Sequence, residues 1–297
     1  MARITKYGIR ELHRHFPTSK ACLEFLFDSL HTRECSCGGT YVIRLKKKLF
    51  QCTRCHAQIS PTAGTIFHKS STPLLLWFHA LLVFSNAKSG ISAKQLERHL
   101  AVTYKCAWRM LSLIRKMLAQ AEARLKGYVE SDGAYFGGRK KAGKNNEHLS
   151  QAFQAKTVAL GALERGGNVK VSVVPNLEAG TLERFITGNV NPKSFLLTDS
   201  AKGYRRLGNR YDHHAVDHHR GEYARGYVHV NSMENFWSHT KRSITGVYKR
   251  VSRQHTQSYL DAYAFLYNNR YNDRKRFEIL LRLVLLSSKA PKTASLT

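Results

Sequence analysis

The pattern of the chain changes once, at Tyr128, and the segment beyond that point narrows the possible folds more than any other feature. Before it, apolar residues recur at helical spacing, apart from one cysteine-rich stretch; after it, they alternate or cluster at strand length. YVESDGAYFGG reads as a strand ending in a Gly-rich turn, and KTVALGALERGGNVKVSVVPN as a hairpin turning at Gly166-Gly167. EAGTLERFITGNV reads as a helix and KSFLLTDS as a buried strand ending at Asp199. KGYRRLGNR is then helical, YDHHAVDHH a short strand, and NSMENFWSHTK the start of another helix. Three strands, helix, strand, helix, strand, helix is the order of an α/β domain with a mixed central sheet.

The first part of the chain is organised differently. Residues 4–30 read as two short helices broken near Pro17, and residues 72–125 as helices throughout. Thr72 is expected to cap the first of these, with Pro73 at its first helical position. Ser92 and Thr103 are expected caps for two further helices that meet at Ala101-Val102-Thr103. The chain therefore divides into N-terminal helices (1–30), a cysteine-rich module (31–70), a helical region (71–126), the α/β domain (127–275) and a tail (276–297) that reads as frayed.

Charge narrows the partners. Lys and Arg number 48 against 20 acids, a formal net charge of +28 interleaved with aromatic residues along the whole length. Such an excess suits a polyanion, and nucleic acid more than a membrane surface. No apolar run reaches the roughly 18 residues of a membrane span, and residues 1–20 have no signal-peptide core, so a cytoplasmic protein is expected. In that reducing compartment the six cysteines are not expected to form a disulfide framework.

Four of them have metal-ligand spacing. Cys35-x-Cys37 and Cys52-x-x-Cys55, with fourteen residues between the pairs, suit a structural tetrahedral Zn²⁺ in a zinc ribbon; buried free thiols are the alternative. Cys22 and Cys106 lie on apolar helix faces and read as core. The helices meeting at residues 101–103 form either a DNA-reading helix-turn-helix or an ordinary helical hairpin with a solvated basic face. In the second, Ala107, Leu111, Ile114 and Leu118 line one side and leave Lys105, Arg109, Arg115 and Lys116 elsewhere.

Three acids carry weight because acids are scarce. Asp132 ends the first strand of the α/β region, Asp199 ends the fourth, and Glu234 begins the helix that follows the last. The element order is that of an RNase H-like domain, in which the two strands are parallel neighbours and the helix crosses the same edge. Two Mg²⁺ (or Mn²⁺) ions about 3.5–4 Å apart need such a set of carboxylates to drive phosphoryl transfer. Each acid also has a local reading. Asp132-Gly133 suits a turn, Asp199-Ser200 a helix cap, and Glu234 the third place of a capping box begun by Asn231.

Taken together, these motifs resemble the DDE transposases of bacterial insertion sequences that carry an N-terminal zinc ribbon, the ISXO-like family. The resemblance runs from about Phe16 to Arg270 and rests on VESDGAYFGGRKK, LLTDSAKGY and HVNSMENFWSHTKRSITGVYKRVS, with thirty-four residues between Asp199 and Glu234. It implies a zinc ribbon and helix-turn-helix followed by an RNase H-like, DDE integrase-type catalytic domain. Asp132, Asp199 and Glu234 would then be the catalytic Mg²⁺ ligands. Lys241, two turns beyond Glu234, would face the transposon end, with Arg242 beside it. Asn231 and His229 fall in the same motif and could reach phosphate or metal-bound water, with Asn231 more simply the helix cap. Trp237 reads as core more than as a base-stacking platform, and His213, His214, His218 and His219 either line a DNA channel or belong to a half-buried strand.

Two positions depart from the family. Gly133 stands where an acid usually follows the first catalytic Asp, and Glu34 stands where the first thiolate would be. The zinc site would thus use all four cysteines, or three with Glu34 or His56. The expected function is a transposase that binds terminal inverted repeats, cleaves at the element ends and joins the 3′-hydroxyl to target DNA, as a homodimer or higher oligomer on DNA. The competing readings are a transposase-derived DNA-binding regulator and an RNase H-like structure-specific nuclease.

Overall fold

The computed structural model describes residues 7–118, 123–137, 156–271 and 273–287, and the chain forms two compact units. One comprises the chain up to Ala87, Ile91–Met117 and everything from Asn269; the other comprises Lys88–Gly90 and Leu118–Asn268.

In the first unit, helices α1 (Ile9–His15) and α2 (Ser19–Leu30) flank Pro17 as expected, and Thr18 Oγ1 caps α2 by accepting the Ala21 N–H at 3.2 Å. Strands β1 (Tyr41–Arg44), β2 (Leu49–Cys52) and β3 (Gln58–Ile59) form a small antiparallel sheet, tied to α2 by the stacking of Phe27 on Phe50. Helix α3 (Leu74–Asn86) buries Trp77, Phe78, Leu81 and Phe84. It starts one residue later than expected. Pro73 is extended (ψ 139°) and lends its carbonyl to the first turn, while Thr72 turns its hydroxyl to Cys106 Sγ at 3.3 Å.

Ser92 and Thr103 do cap α4 (Ala93–Leu100) and α5 (Tyr104–Lys116), accepting the N–H groups of Gln95 and Cys106. Ala101, at φ 50°, makes the turn between them. Helix α5 buries Ala107, Met110, Leu111 and Ile114. It also buries Arg115, 4% exposed, which the sequence placed off the core face. The expected frayed tail is corrected over residues 276–287, its remainder lying outside the described residues: a further helix spans Asp273–Ser287 and buries Phe277, Leu280, Leu281 and Val284. Phe277 stacks on Tyr7 at 4.8 Å between ring centroids, so apolar spacing outweighs the polar end of the chain.

The second unit is built on strands β4 (Tyr128–Phe136), β5 (Thr157–Glu164), β6 (Val169–Val174), β7 (Phe195–Asp199) and β8 (Asp212–Val216), in the order β6-β5-β4-β7-β8. The first three pair antiparallel, with the β5–β6 turn at Gly166 as expected; β4, β7 and β8 pair parallel. The sheet is thus mixed and covered on both faces. Helix α6 (Ala179–Asn189) and a 3₁₀ segment (Lys202–Asn209) bury Val129, Leu160, Ala162 and Leu196 on one side. Helices α7 (Asn231–Ser243) and α8 (Thr256–Asn268) bury Ala134, Ala159, Leu163 and Val171 on the other. Gln257 and Asn268 of α8 also accept the Val173 and Val169 N–H groups, so the edge strand β6 is paired by side chains.

Strand period places Glu130 and Asp132 on the face that α7 covers, and α7 comes very close there. A Cβ on Gly161, the β5 partner of Asp132, would press into Met233 Cε and lie 2.7 Å from Trp237 Cζ2. Trp237 is core, as expected. Gly161→Ala is expected to destabilise the unit by about 1–3 kcal/mol through overpacking, measured as a lower urea midpoint with an unchanged slope.

Candidate functional site

β4 and β7 run parallel with Glu130 opposite Leu197, and carrying that register two residues further brings Asp132 level with Asp199. The pairing has ended by then, so the two acids stand where the strands part. Glu234 lies in the first turn of α7, over the same face of the sheet as Asp132. The effect on Asp132 is large. Burial, then the charge of Asp199 and then that of Glu234 push its carboxyl up to about 7, against the Gly133 N–H and Lys241. Asp199, Glu234 and Lys241 therefore each act on Asp132 electrostatically. Carboxylate oxygens are hard donors of the kind that Mg²⁺ or Mn²⁺ takes, and the charge of such an ion would relieve the repulsion on Asp132.

Asp132 lies inside β4, opposite Gly161, and not at the strand end or in a turn, because β4 runs on to Phe136; the 3₁₀ segment after Asp199 is preceded by Ala201 and has no side-chain cap. Asp132 Oδ1 accepts the Gly133 N–H at 2.8 Å, and Asp199 Oδ1 accepts the Ala201 N–H at 3.2 Å. A Cβ on Gly133 would lie 2.6 Å from Leu177 Cδ1, the end of a side chain that would have to move to admit an acid.

The cap of α7 corrects the sequence reading. Asn231 is the first helical residue, exposed, and Val230 precedes it with no side-chain cap; Glu234 is accordingly one position past the capping-box place. The free N–H end of α7 is met from across the sheet. Glu130, with no solvent exposure, accepts the Met233 N–H at 3.0 Å and the Ser232 hydroxyl at 3.0 Å. Arg165 of the β5–β6 turn pairs with the same carboxylate at 2.6 Å and donates to the carbonyls of Tyr227 and His229. Arg165 Nη2 also bonds His229 Nδ1 at 2.9 Å, and the same nitrogen stands 3.4 Å from Glu130 Oε1. Sequence reasoning missed both Glu130 and Arg165. The available signal was an acid two residues before Asp132, hence on the same strand face.

Around this centre the histidines divide. His213 bonds Thr198 Oγ1 at 2.8 Å, and burial, then His214, lowers its pKa. His214 pairs with Asp212 at 2.8 Å. His218 Nδ1 stands 3.9 Å from Glu234 Oε1, and the His219 side chain lies outside the described residues. Lys241 and Arg242 are exposed on α7.

In the other unit, Lys105 and Arg109 are exposed on α5, and Arg109 reaches the His68 carbonyl at 3.5 Å. Two aromatic residues that the sequence reading passed over share that surface, Tyr104 at 52% and Trp108 at 42% exposure.

The same unit gathers Cys35, Cys37, Cys52 and Cys55 so that all four sulfurs lie within 4.8 Å of one another. Among the described residues no other group of three or more His, Cys, Asp or Glu side chains forms such a cage. Cys35–Cys55 and Cys37–Cys52 are 3.7 and 3.5 Å apart, near the ~3.8 Å edge of a tetrahedron with ~2.3 Å metal–sulfur bonds. The short first pair is accommodated by a tight turn, in which Gly38 N–H returns to the Cys35 carbonyl and Cys35 N–H to that of Gly39. Glu34 and His56 are not part of the cluster. The Cys37 backbone N–H and the Tyr41 hydroxyl bring Cys35 down to about 6. Cys37 is driven up to about 12, because hydrogen bonding to Cys55 and Cys52, with burial, outweighs the favourable Gly39 N–H. The four cysteines could hold a zinc ion.

The chain is also similar to known proteins. Residues 124–268 match the ISXO2-like transposase domain. The chain is 26% identical over 249 residues to a protein of Halobacterium salinarum described as an uncharacterized protein in transposable element ISH50, covering 77% of this chain and 82% of that one. It is 29% identical over 113 residues to an uncharacterized transposase-like protein of Haemophilus influenzae, covering 38% and 89%.

The site has two measurable consequences. Asp132 has a folded pKa above its unfolded value, so its ionisation penalises the fold. The penalty is absent below about pH 4, grows up to about pH 7 and is complete above it. In magnesium-free buffer Asp132→Asn should therefore be more stable than wild type by roughly 1–3 kcal/mol at pH 8, the difference closing as pH falls through 7 toward 5 in urea titrations. Protein made in zinc-supplemented medium should carry about one zinc per chain by atomic emission, and Cys35→Ser should lower that content.

Proposed function

Because residues 124–268 belong to the ISXO2-like transposase domain family, we propose that this chain is the transposase of an insertion sequence, joining DNA by metal-dependent phosphoryl transfer. The observation that carries the reading is the register of β4 and β7, which brings Asp132 level with Asp199, together with the charges of Asp199, Glu234 and Lys241 that Asp132 feels. The sheet order, with two acids on neighbouring parallel strands, supports an RNase H-like core. Asp132, Asp199 and Glu234 would hold two Mg²⁺ or Mn²⁺ ions, which when bound activate a water or a 3′-hydroxyl and stabilise the leaving oxygen.

The residues of the chain do the rest. Lys241 and Arg242 draw the DNA backbone toward an otherwise anionic cluster. Helices α4 and α5 act as a helix-turn-helix, with Tyr104, Lys105, Trp108 and Arg109 facing the groove of the terminal inverted repeat. The four-cysteine cluster holds zinc in a ribbon that supports this unit. At the element end, hydrolysis breaks a phosphodiester and leaves a 3′-hydroxyl. That hydroxyl then attacks a target phosphodiester and expels a new 3′-hydroxyl, with no covalent protein intermediate. Two ends must be joined, so the protein acts as a homodimer or higher oligomer on DNA, in the cytoplasm at the nucleoid. No helix among the described residues is long and apolar enough to cross a membrane.

The test is strand transfer, using a labelled duplex of the inverted repeats that flank the gene, a target plasmid and Mg²⁺. Wild type should form joined products, and Asp199→Asn should lose roughly 10³-fold or more. Equal activity of the two proteins would overturn the reading. Cleavage of branched DNA without joining would assign a structure-specific nuclease instead, and repeat binding without either reaction a DNA-binding regulator.

A further inference from the structure

We propose that Glu130 is a positioning residue that sets α7 so that Glu234 faces Asp132 and Asp199; this rests on the carboxylate-centred transposase reading above. Glu130 is a side chain that the proposed chemistry does not use, and it has no solvent exposure. A buried carboxylate is costly unless its oxygens are bonded, and here both are engaged. Oε1 takes Arg165 Nε at 2.6 Å and the Ser232 hydroxyl at 3.0 Å, and Oε2 takes the Met233 N–H at 3.0 Å.

Two of these partners belong to the first turn of α7, which has no side-chain cap of its own. The partial positive charge and free N–H groups of a helix start favour an anion there, so the bonds set the seat and direction of α7. Glu234 follows Met233 directly and closes the first helical bond, its N–H to the Val230 carbonyl at 3.0 Å.

The lever is short. Glu130 and Asp132 are two residues apart on one strand and one face, and Met233 and Glu234 are adjacent on one helix. The strand that presents one metal ligand therefore grips the helix that presents another. Arg165 completes the grip by tying the loop before α7, through the Tyr227 and His229 carbonyls, to the same carboxylate. A buried ion pair on its own is a poor source of stability, since apolar replacements often do as well, so alignment is the better account of this one.

The test is Mn²⁺ binding to the full-length, zinc-loaded protein without DNA, by isothermal titration well below the melting temperature. Wild type, Asp132→Asn, Glu130→Gln and Ser232→Ala are compared. Glu130→Gln should weaken Mn²⁺ binding about 10-fold or more, the range for residues that orient metal ligands. Ser232→Ala, which removes one bond and leaves the Arg165 pair intact, should weaken it about threefold. Binding of the repeat duplex in magnesium-free buffer should be unchanged for both. If Glu130→Gln does not fold, Ser232→Ala decides. Wild-type Mn²⁺ affinity in the folded variants, with a lower melting temperature alone, would overturn the positioning role. Wild-type affinity in Asp132→Asn would instead remove the carboxylate metal site itself, and the positioning role with it.

Discussion

A carboxylate without solvent contact holds the first turn of α7, and the geometry of the candidate site hangs on that contact. Helix starts carry unpaired N–H groups and a positive potential, and most are answered by a side chain next to them in sequence. Here the answer comes from β4, a hundred residues away, and Arg165 balances the charge. The contact works only because α7 can lie close to the sheet. Gly161 opposite Asp132 supplies that closeness, since its missing side chain is filled by Met233 and Trp237. Cap, close approach and acid all fall within a few residues of one another on β4 and β5.

The chain keeps two kinds of ligand chemistry apart. One unit gathers four soft sulfurs into a closed cage of nearly tetrahedral dimensions, suited to a metal that holds structure. In the other, the proposed site would use hard carboxylates, which suit cations that keep open positions for water and phosphate. In a chain of net charge +28 the second group is an anionic island. The Asp132 carboxyl is raised first by its burial and then by the charges of Asp199 and Glu234, and Lys241 offsets part of the shift.

Much of the architecture was legible from one sequence. The alternation after Tyr128 foretold the strand and helix order, because strands and helices repeat apolar residues at different periods. Thr103 and Ser92 were legible as caps because a cap bonds an N–H three residues on, well within a short sequence window. The failures share a cause. Asn231 looked like a cap by the same rule, yet a distant carboxylate took the task. Arg115 looked solvated by charge and is buried by the packing of its helix. Residues 276–287 looked frayed by their place in the chain and are held by Phe277 against Tyr7. The four cysteines, by contrast, were legible as one ligand set, and a tight turn brings both sulfurs of the short Cys35-x-Cys37 pair to the cluster.

What the sequence determined by itself was therefore local and periodic: which segments are strands or helices, where most helices begin, and which scarce acids and paired cysteines could carry chemistry. Only the tertiary structure decided which residue caps α7, how closely that helix approaches Gly161, and that Glu130, unnoticed beside Asp132, is buried and holds the start of the helix. The reason is physical. Period and capping act between near neighbours, whereas burial, close approach and charge compensation act across space between segments whose separation along the chain carries no information about their distance.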